Sequence, residues 1–182
     1  MAALIPSASA TGSGTMTLAG PSTNSNQTVT IPDATGTMMV SGNQQGFSAY
    51  LSANQSITAN TFTKAQFNTT EFNLGSAYDA TTNYRFTPTV AGYYQVNLAI
   101  YTAGAGSSQG NGAIYKNGSM LRASQQVLAN SQTVDIPAII YLNGSTDYLE
   151  AYAYIGTVGG VIAGGSGNAP YCYFQAMLIR NA

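Results

Sequence analysis

From residue 46 onward the chain alternates short apolar and polar runs, and turn residues separate one run from the next. Asn-Gly pairs follow two of the runs, at Asn117-Gly118 and Asn143-Gly144, and Asn-Gly is the strongest short signal of a β-hairpin. No stripe of helical period crosses the sequence, so the pattern predicts an all-β sandwich of about eight to ten short strands. The predicted strands are Phe47–Leu51, Thr61–Phe67, Thr70–Leu74, Tyr84–Phe86, Tyr93–Tyr101, Ala113–Tyr115, Thr133–Leu142, Tyr148–Ile155 and Tyr171–Ile179.

Three of these runs also indicate which side of the strand is buried, because alternate residues of a strand face opposite sides of its sheet. One side of each run is apolar throughout, and we expect these sides to form the core of the sandwich. The predicted core positions are Val96, Leu98 and Ile100; Leu149, Ala151, Ala153 and Ile155; and Cys172, Phe174, Ala176 and Leu178.

The opposite sides of the same three runs are rich in tyrosine, which joins a large apolar ring to a polar hydroxyl and is enriched at protein interfaces. If the three strands lie in one sheet, their tyrosines merge into a patch that needs a partner. We predict that this patch is the subunit interface and that Tyr152→Asp breaks the assembly. The alternative is a half-exposed surface covered by loops. The predicted interface residues are Tyr93, Tyr101, Tyr148, Tyr152, Tyr154, Tyr171 and Tyr173.

Residues 1–45 differ from the rest of the chain, since they contain no Tyr or Phe. Short runs of alternating polarity, such as Thr28–Ile31 and Thr37–Val40, are separated by turn residues. Such pieces bury too little surface to be stable alone, so we expect the segment to take its core from copies of itself or from a neighbour. The sequence therefore predicts a β-rich stem and attachment segment over residues 1–45 and a folded head over residues 46–182.

Charge is scarce along the whole chain. The 5 basic and 6 acidic residues give a net charge of −1, and charged residues make up 6% of the chain, against about 25% in ordinary soluble domains. Such a chain cannot neutralise a row of phosphates, and it has neither a basic patch for an anionic membrane nor an apolar run long enough to span one. We therefore predict neither nucleic-acid binding nor membrane insertion. The first residues also lack the features of a secretory signal.

The residues that usually carry catalysis are missing or scattered. The chain has no histidine, the usual general base and the commonest metal ligand. Its single cysteine, Cys172, rules out an internal disulfide, and we predict a small buried residue rather than a reactive thiol, which would need a basic neighbour. Paired carboxylates could hydrolyse a glycoside, but no pairing is visible, so we predict that the protein is not an enzyme. The carboxylates considered are Glu71, Asp79, Asp135, Asp147 and Glu150.

We predict no cofactor and no metal. The alternative that the sequence leaves open is a calcium ion held by Asp79 or by Asp147 together with backbone carbonyl oxygens.

The stretch from Phe86 to Ile100, Phe-Thr-Pro-Thr-Val-Ala-Gly-Tyr-Tyr-Gln-Val-Asn-Leu-Ala-Ile, resembles the signature of the globular domain of complement C1q and its relatives. The flanking motifs occur in the family's order: Phe47-Ser-Ala, Ile114-Tyr-Lys-Asn-Gly118 and Phe174-Gln-Ala-Met-Leu178. The chain departs from the family at residues 142–147 and at residues 175–176. The resemblance implies a ten-stranded jelly roll, similar to tumour-necrosis-factor-like domains, that forms homotrimers. It also implies that the sheet with the three tyrosine-rich strands faces the three-fold axis.

The N-terminal segment carries a second resemblance. Thr17-Leu-Ala-Gly-Pro-Ser-Thr-Asn24, Thr28-Val-Thr-Ile-Pro-Asp33 and Thr35-Gly-Thr37 are similar to repeats in bacteriophage tail-fibre and appendage proteins. Such repeats wind as trimers near their attachment point, and a trimeric stem would share its symmetry axis with a trimeric head.

These features lead to one functional hypothesis and two alternatives. The first is a phage virion protein, a short trimeric tail fibre that attaches to another virion protein through residues 1–45 and binds a host-surface carbohydrate or protein with its head. The alternatives are a capsid decoration or head-fibre protein that stabilises the shell, and a secreted C1q-like binding module. We expect the ligand in the glycine-rich loops 102–112 and 156–169, at Ser107, Gln109, Asn111, Thr157 and Asn168.

Overall fold

Antiparallel strands make up almost all of the regular structure in the computed structural model. It describes residues 42, 44–103, 109–127, 132–165 and 170–182, so nearly all of the predicted stem lies outside the described residues. The strands are β1 (Gly46–Tyr50), β2 (Gln55–Ser56), β3 (Thr63–Lys64), β4 (Thr69–Leu74), β5 (Tyr78–Asp79), β6 (Arg85–Phe86), β7 (Gly92–Ala103), β8 (Gln109–Lys116), β9 (Ser119–Val127), β10 (Gln132–Leu142), β11 (Leu149–Ile155), β12 (Val161–Ile162) and β13 (Tyr173–Asn181). No helix in the described ranges is long and apolar enough to cross a bilayer.

The strands form two sheets, which we call sheet A and sheet B. In sheet A, β7 pairs with β10 on one side and with β13 and then β12 on the other; β1 and β4 continue beyond β13, and β2 lies beyond β12. In sheet B, β11 pairs with β8, which pairs with β9, and on its other side with β6 and β3; β5 lies beyond β6. The predicted two-sheet, all-β sandwich is confirmed.

The core lies between the two sheets and contains every core position that the three tyrosine-rich runs predict, each at most 2% exposed. Its centre is aromatic. The Phe47 ring stacks on Tyr78 at 4.3 Å and on Phe86 at 4.8 Å between centroids, and it meets Phe174 edge-on at 5.1 Å. Such pairs add about 0.5–1.5 kcal/mol each beyond the burial of their area.

Two core tyrosines keep their hydroxyls paired. The Tyr94 hydroxyl donates to the Val90 carbonyl at 2.7 Å, and the Tyr78 hydroxyl donates to the Phe67 carbonyl at 3.0 Å. Burial raises the pKa of Tyr94 to about 12 and raises that of Tyr78 further. Because both hydroxyls stay protonated, the sandwich can bury these polar atoms without leaving an unpaired charge.

The strand registers give the sandwich two distinct ends. The chain enters at Gly46, and the same end holds Gly92, Leu142 and the C-terminal residues of β13; we call it the proximal end. The opposite, distal end holds Tyr50, the last residues of β7, β9 and β11, and the first residues of β8, β10 and β13. The described parts of the two glycine-rich stretches, residues 109–112 and 156–165, therefore lie at the distal end.

Several predicted boundaries differ from the structure. Of the predicted strand Thr61–Phe67, only Thr63–Lys64 pairs, with β11. The nine-residue strand β9 was not predicted, because its stretch Arg-Ala-Ser-Gln-Gln, residues 122–126, lacks the alternation of apolar and polar residues that marks the other strands. The predicted loops are shorter than expected, because Gln109–Gly112 belong to β8 and Val161–Ile162 form β12.

Candidate functional site

The outward side of sheet A carries five of the nine large apolar side chains that are exposed among the described residues, and we call it the sheet A face. The register places Phe72, Leu74, Tyr93, Ile139 and Tyr141 on this side, since their cross-strand partners all point away from the core. Ile139 is 59% exposed, and the Tyr93 and Tyr141 rings contact each other at 5.5 Å between centroids. Also exposed are Tyr171, which stacks on Tyr101 at 5.1 Å, and Ile179.

The middle of the sheet A face is polar. The Gln175 amide donates to the Ser48 hydroxyl at 3.1 Å, and that hydroxyl donates to the Glu71 carboxylate at 2.6 Å. Gln95 and Asn97 lie beside this chain of hydrogen bonds and line, with it, a pocket of about 160 Å³. A register shift between Ser48 and Ala49 marks a β-bulge in the pairing of β1 with β4, which explains how Glu71 and Phe72, adjacent in sequence, both reach this face.

The outward side of sheet B holds a row of four aromatic rings, which we call the sheet B aromatic row. Tyr152 stacks on Tyr115 with 4.0 Å between centroids; Phe62 lies 6.3 Å from Tyr115 and 5.4 Å from Tyr154. The Tyr154 hydroxyl donates to the Asn60 side-chain oxygen at 3.1 Å. All four rings are partly exposed, so the row is a surface feature and not a part of the core.

Charged side chains flank this row. The Lys64 ammonium pairs with the Glu150 carboxylate, which is 5% exposed. The Arg85 guanidinium lies 4.6 Å from the centre of the Tyr148 ring, a cation–π contact. Burial raises the pKa of both Tyr115 and Tyr152, and the nearby Glu150 charge raises that of Tyr152 further. The row therefore stays uncharged at neutral pH.

The predicted single tyrosine patch does not form. The prediction required the three tyrosine-rich strands to share one sheet, but β7 and β13 lie in sheet A while β11 lies in sheet B. Tyr93, Tyr101, Tyr171 and Tyr173 belong to sheet A, whereas Tyr148, Tyr152 and Tyr154 lie on the outer side of the opposite sheet. Alternation along a strand shows which residues share a side, but the hydrogen-bond partners that define a sheet are distant in sequence. The premise of the Tyr152→Asp prediction is therefore wrong.

The predicted ligand residues are only partly placed by the structure. Ser107 and Asn168 lie outside the described residues. Gln109 and Asn111 are strand residues at the distal end of β8 and not loop residues, and Thr157 lies in the partly exposed turn after β11. The described three approach the distal end, as the loop prediction requires, but their role in ligand binding stays a prediction.

The two carboxylates considered for calcium are occupied by hydrogen-bond donors. Asp79 accepts from the backbone N–H groups of Thr81, Thr82 and Asn83 at 2.9–3.0 Å, and also from the Asn83 amide at 2.8 Å. These donors, led by the Thr82 N–H, hold the pKa of Asp79 well below its ordinary value. A cation would have to displace them, so the Asp79 carboxylate organises the turn that follows β5.

Asp147 is engaged in a similar way at the proximal end. It accepts from the Asn117 amide at 2.7 Å and from the Asn143 N–H at 3.0 Å, and it pairs with the Lys116 ammonium at 2.8 Å. Burial opposes ionisation of Asp147, but these partners outweigh it and lower the pKa. The carboxylate thereby ties the β8–β9 hairpin to the β10–β11 connection. The described residues hold no group of three or more Cys, Asp or Glu side chains that could ligate a metal ion.

Several residues of the two faces were not singled out by the sequence. Tyr115 and Phe62 complete the sheet B aromatic row, and Ile139 and Tyr141 are among the exposed side chains of the sheet A face. The run Thr133–Leu142 carried a usable signal, because Ile139 and Tyr141 alternate with the buried Ile140 and Leu142. Phe62 gave no such signal, since it precedes a strand of two residues.

Solved structures with the same fold include proteins of two related groups. The globular domain of zebrafish complement 1qA matches with a TM-score of 0.56 at 18% identity, over 76% of this chain and 99% of that one. Eiger TNF from S. frugiperda matches with a TM-score of 0.56 at 11% identity, over 76% and 93% of the two chains. Murine APRIL matches with a TM-score of 0.55 at 8% identity, over 75% and 99%.

No protein-family model and no curated protein matches the chain. The structural likeness confirms the predicted C1q/TNF-like jelly roll, and at these identities it establishes the fold alone.

Proposed function

We propose that this chain is a non-enzymatic structural protein of a phage virion, which assembles as a homotrimer and presents its jelly roll as the receptor-binding head of a short tail fibre. The observation that carries the proposal is the sheet A face. Its exposed rings and aliphatic side chains are what a subunit interface buries, and a patch of this kind on a single chain needs a partner. The predicted interface is thereby moved to one sheet and extended to Ile139, Tyr141, Phe72 and Leu74.

The polar pocket within this face supports a specific assembly rather than non-specific association. The chain of hydrogen bonds through Gln175, Ser48 and Glu71 would be enclosed when the face is covered. An incorrectly placed partner would leave these groups without water and without hydrogen bonds, at a cost of about 1–3 kcal/mol for each unpaired group. Only a partner that satisfies the pocket avoids this cost, which favours one register of association.

The two ends of the sandwich support a fibre head. The first strand of the head, β1, begins at the proximal end with Gly46. In the proposed fibre, the distal end of the head faces the host surface. The setting in a phage virion, with attachment to another virion protein, rests on the resemblance of residues 17–37 to appendage repeats.

The absence of catalysis belongs to the same proposal. Asp79 and Asp147 are held by donors, and Glu150 is paired with Lys64. These three carboxylates serve structural contacts, and the chain lacks histidine, the usual general base.

Sedimentation of the full chain tests the assembly. The wild type should sediment as a trimer at micromolar concentration, and Ile139→Asp should dissociate it, because a charge would be buried at the interface. Met120→Asp is the matched control, since Met120 is 46% exposed on β9 of sheet B. A monomeric wild type, or equal dissociation by both variants, would rule out the sheet A face as the interface.

Electron microscopy of labelled virions and an adsorption assay test the rest. We expect the label on the tail, and we expect the free protein to block adsorption of the phage to its host. A label on the capsid together with no effect on adsorption would favour the decoration alternative.

A further inference from the structure

We propose that the sheet B aromatic row is a binding site for a neutral oligosaccharide. The inference rests on the proposed function, since it names the ligand class and the site with which the head would contact a host surface. It narrows the expected ligand, a host-surface carbohydrate or protein, to a neutral oligosaccharide, and it moves the site from the glycine-rich loops to the outer side of a sheet.

The site is built from strands and is therefore pre-organised. Tyr152 and Tyr154 alternate on β11, and Tyr115 stands on the neighbouring strand β8, where it stacks on Tyr152 at 4.0 Å. Phe62, just before β3, bridges Tyr115 and Tyr154. The rings hold each other in place, so the binding of a ligand costs little conformational entropy of these side chains.

Polar groups along the row suit a ligand rich in hydroxyls. The hydroxyls of Tyr115 and Tyr152 donate to no described residue, whereas that of Tyr154 is used by Asn60. A sugar ring offers an apolar C–H side for the aromatic rings and hydroxyls that can both donate and accept.

The charge of the site selects a neutral ligand. Lys64 is paired with Glu150 beside Tyr152, and Arg85 lies over the Tyr148 ring outside the row, so the four rings have no basic cluster that would hold a phosphate or an acidic sugar. Nucleic acids also use stacked aromatic rings, but they need a basic groove for their backbone. A site with paired charges and free hydroxyls is the chemistry expected for an uncharged glycan.

The site and the proposed assembly surface lie on opposite sides of the sandwich. A homotrimer that buries the sheet A face leaves the outer side of sheet B available in every subunit. Three equivalent sites on one particle would raise the strength of attachment to a repetitive glycan surface well beyond that of a single site. Single sites of modest affinity are therefore sufficient for the function proposed.

An array of neutral and acidic microbial oligosaccharides, probed with the full-length protein, tests the proposal. We expect the protein to bind neutral oligosaccharides of the array, and we expect no binding that requires a charged group on the oligosaccharide. The best neutral binder is then titrated against Tyr152→Ala, which should weaken binding about tenfold, and against Tyr152→Phe, which keeps the ring and should weaken it about threefold or less.

Tyr148→Ala is the matched control, because Tyr148 precedes β11, where its ring packs under Arg85 and outside the row. It should bind as the wild type does. Thermal melting and sedimentation of each variant show whether fold and assembly are retained, and the Tyr152→Phe result remains informative if Tyr152→Ala fails to fold.

Three results would overturn the proposal: no neutral glycan bound, equal losses for Tyr152→Ala and Tyr148→Ala, or dissociation of the trimer by Tyr152→Ala. The last result would assign the row to the subunit interface.

Phage adsorption separates this proposal from the proposed function. If the free protein blocks adsorption but binds no neutral glycan, the site fails and the function stands. If it binds the glycan but neither blocks adsorption nor locates to the tail, the function fails and the site stands.

Discussion

The carboxyl group of Asp79 shows how one side chain can organise a turn. Both of its oxygens accept hydrogen bonds from the three residues at positions 81–83, so a residue that the sequence offered as a calcium ligand acts as a local cap. The sequence could not distinguish the two roles, because a carboxylate near Thr and Asn residues is compatible with either. The distinction depends on the direction of the backbone N–H groups after residue 79.

We expect Asp79→Ala to lower the free energy of unfolding by about 1 kcal/mol at neutral pH, a value kept small because the group is solvated. The pKa of Asp79 is lower in the folded state, so its contribution is present above the unfolded pKa and is lost as the pH falls through the folded pKa. Urea unfolding at several pH values should therefore show the two proteins converging in acid. Asp135→Ala, an exposed control on β10, should change stability little at any pH. A pH-independent difference for Asp79→Ala would contradict this account.

Cys172 is the other residue whose chemistry the fold determines. It is fully buried and accepts a hydrogen bond from the Tyr101 N–H at 3.0 Å, and burial raises the pKa of its thiol to about 11. Because the thiolate is the reactive form, we expect no reaction with a thiol reagent at neutral pH in the native state. Full reaction should follow in denaturant. Rapid labelling of the native protein would show that the segment containing Cys172, just before β13, opens readily.

At the scale of elements, the sequence predicted the strands better than their pairing. The core positions of β7, β11 and β13 were predicted correctly, since burial leaves an alternation that can be read locally. The assignment of β11 to the sheet of β7 and β13 was wrong, because pairing depends on partners that are distant in sequence: Leu149 pairs with Lys116 on one side and with Phe86 on the other. The two Asn-Gly turns were recognised, but their tertiary contacts were not.

Those contacts make the two turn glycines unequal. Gly118 and Gly144 both have a positive φ, of 77° and 69°. A Cβ atom on Gly118 would meet nothing closer than the Tyr148 hydroxyl at 3.5 Å. A Cβ atom on Gly144 would lie only 2.3 Å from the Ala91 nitrogen. We expect Gly118→Ala to cost about 1 kcal/mol, the price of a left-handed backbone for alanine. Gly144→Ala should cost about 3 kcal/mol, since overpacking against backbone is added. Equal shifts in chemical denaturation would show that residues 90–91 move away easily.

At the scale of the whole molecule, the fold was predictable and the division of its surface was not. Motif order and alternation were enough for the C1q/TNF-like jelly roll. The candidate surfaces in the structure differ from the predicted one, because each is made of residues from several strands. Ile139 and Tyr141 join Tyr93 on one side of the sandwich, and Phe62 and Tyr115 join Tyr152 on the other. A pattern within one strand cannot show which neighbours complete its outer side.

The boundary between stem and head also depends on contacts between residues that are distant in sequence. Gln45, which the predicted boundary assigns to residues 1–45, is 6% exposed and hydrogen-bonded to the head. Its side-chain nitrogen donates to the Thr89 hydroxyl at 2.7 Å, its side-chain oxygen accepts from the N–H groups of Thr89 at 2.7 Å and Val90 at 3.1 Å, and its carbonyl accepts from the Leu178 N–H at 2.9 Å. The glutamine thus joins β13 to the segment before β7 at the proximal end.

We therefore expect a chain of residues 42–182 to fold and to unfold at a higher denaturant concentration than one of residues 46–182. The difference should be about 2 kcal/mol, because loss of Gln45 leaves several buried donors without acceptors. In the full chain, Gln45→Ala should reproduce most of this loss, while Gln44→Ala, the matched neighbour, should change little. If the two truncated chains were equally stable, the head would begin at Gly46 and the contacts of Gln45 would contribute nothing to its folding. If neither truncated chain folded, residues 1–41 would be required for the jelly roll to form, and the chain would not divide into an independent stem and head.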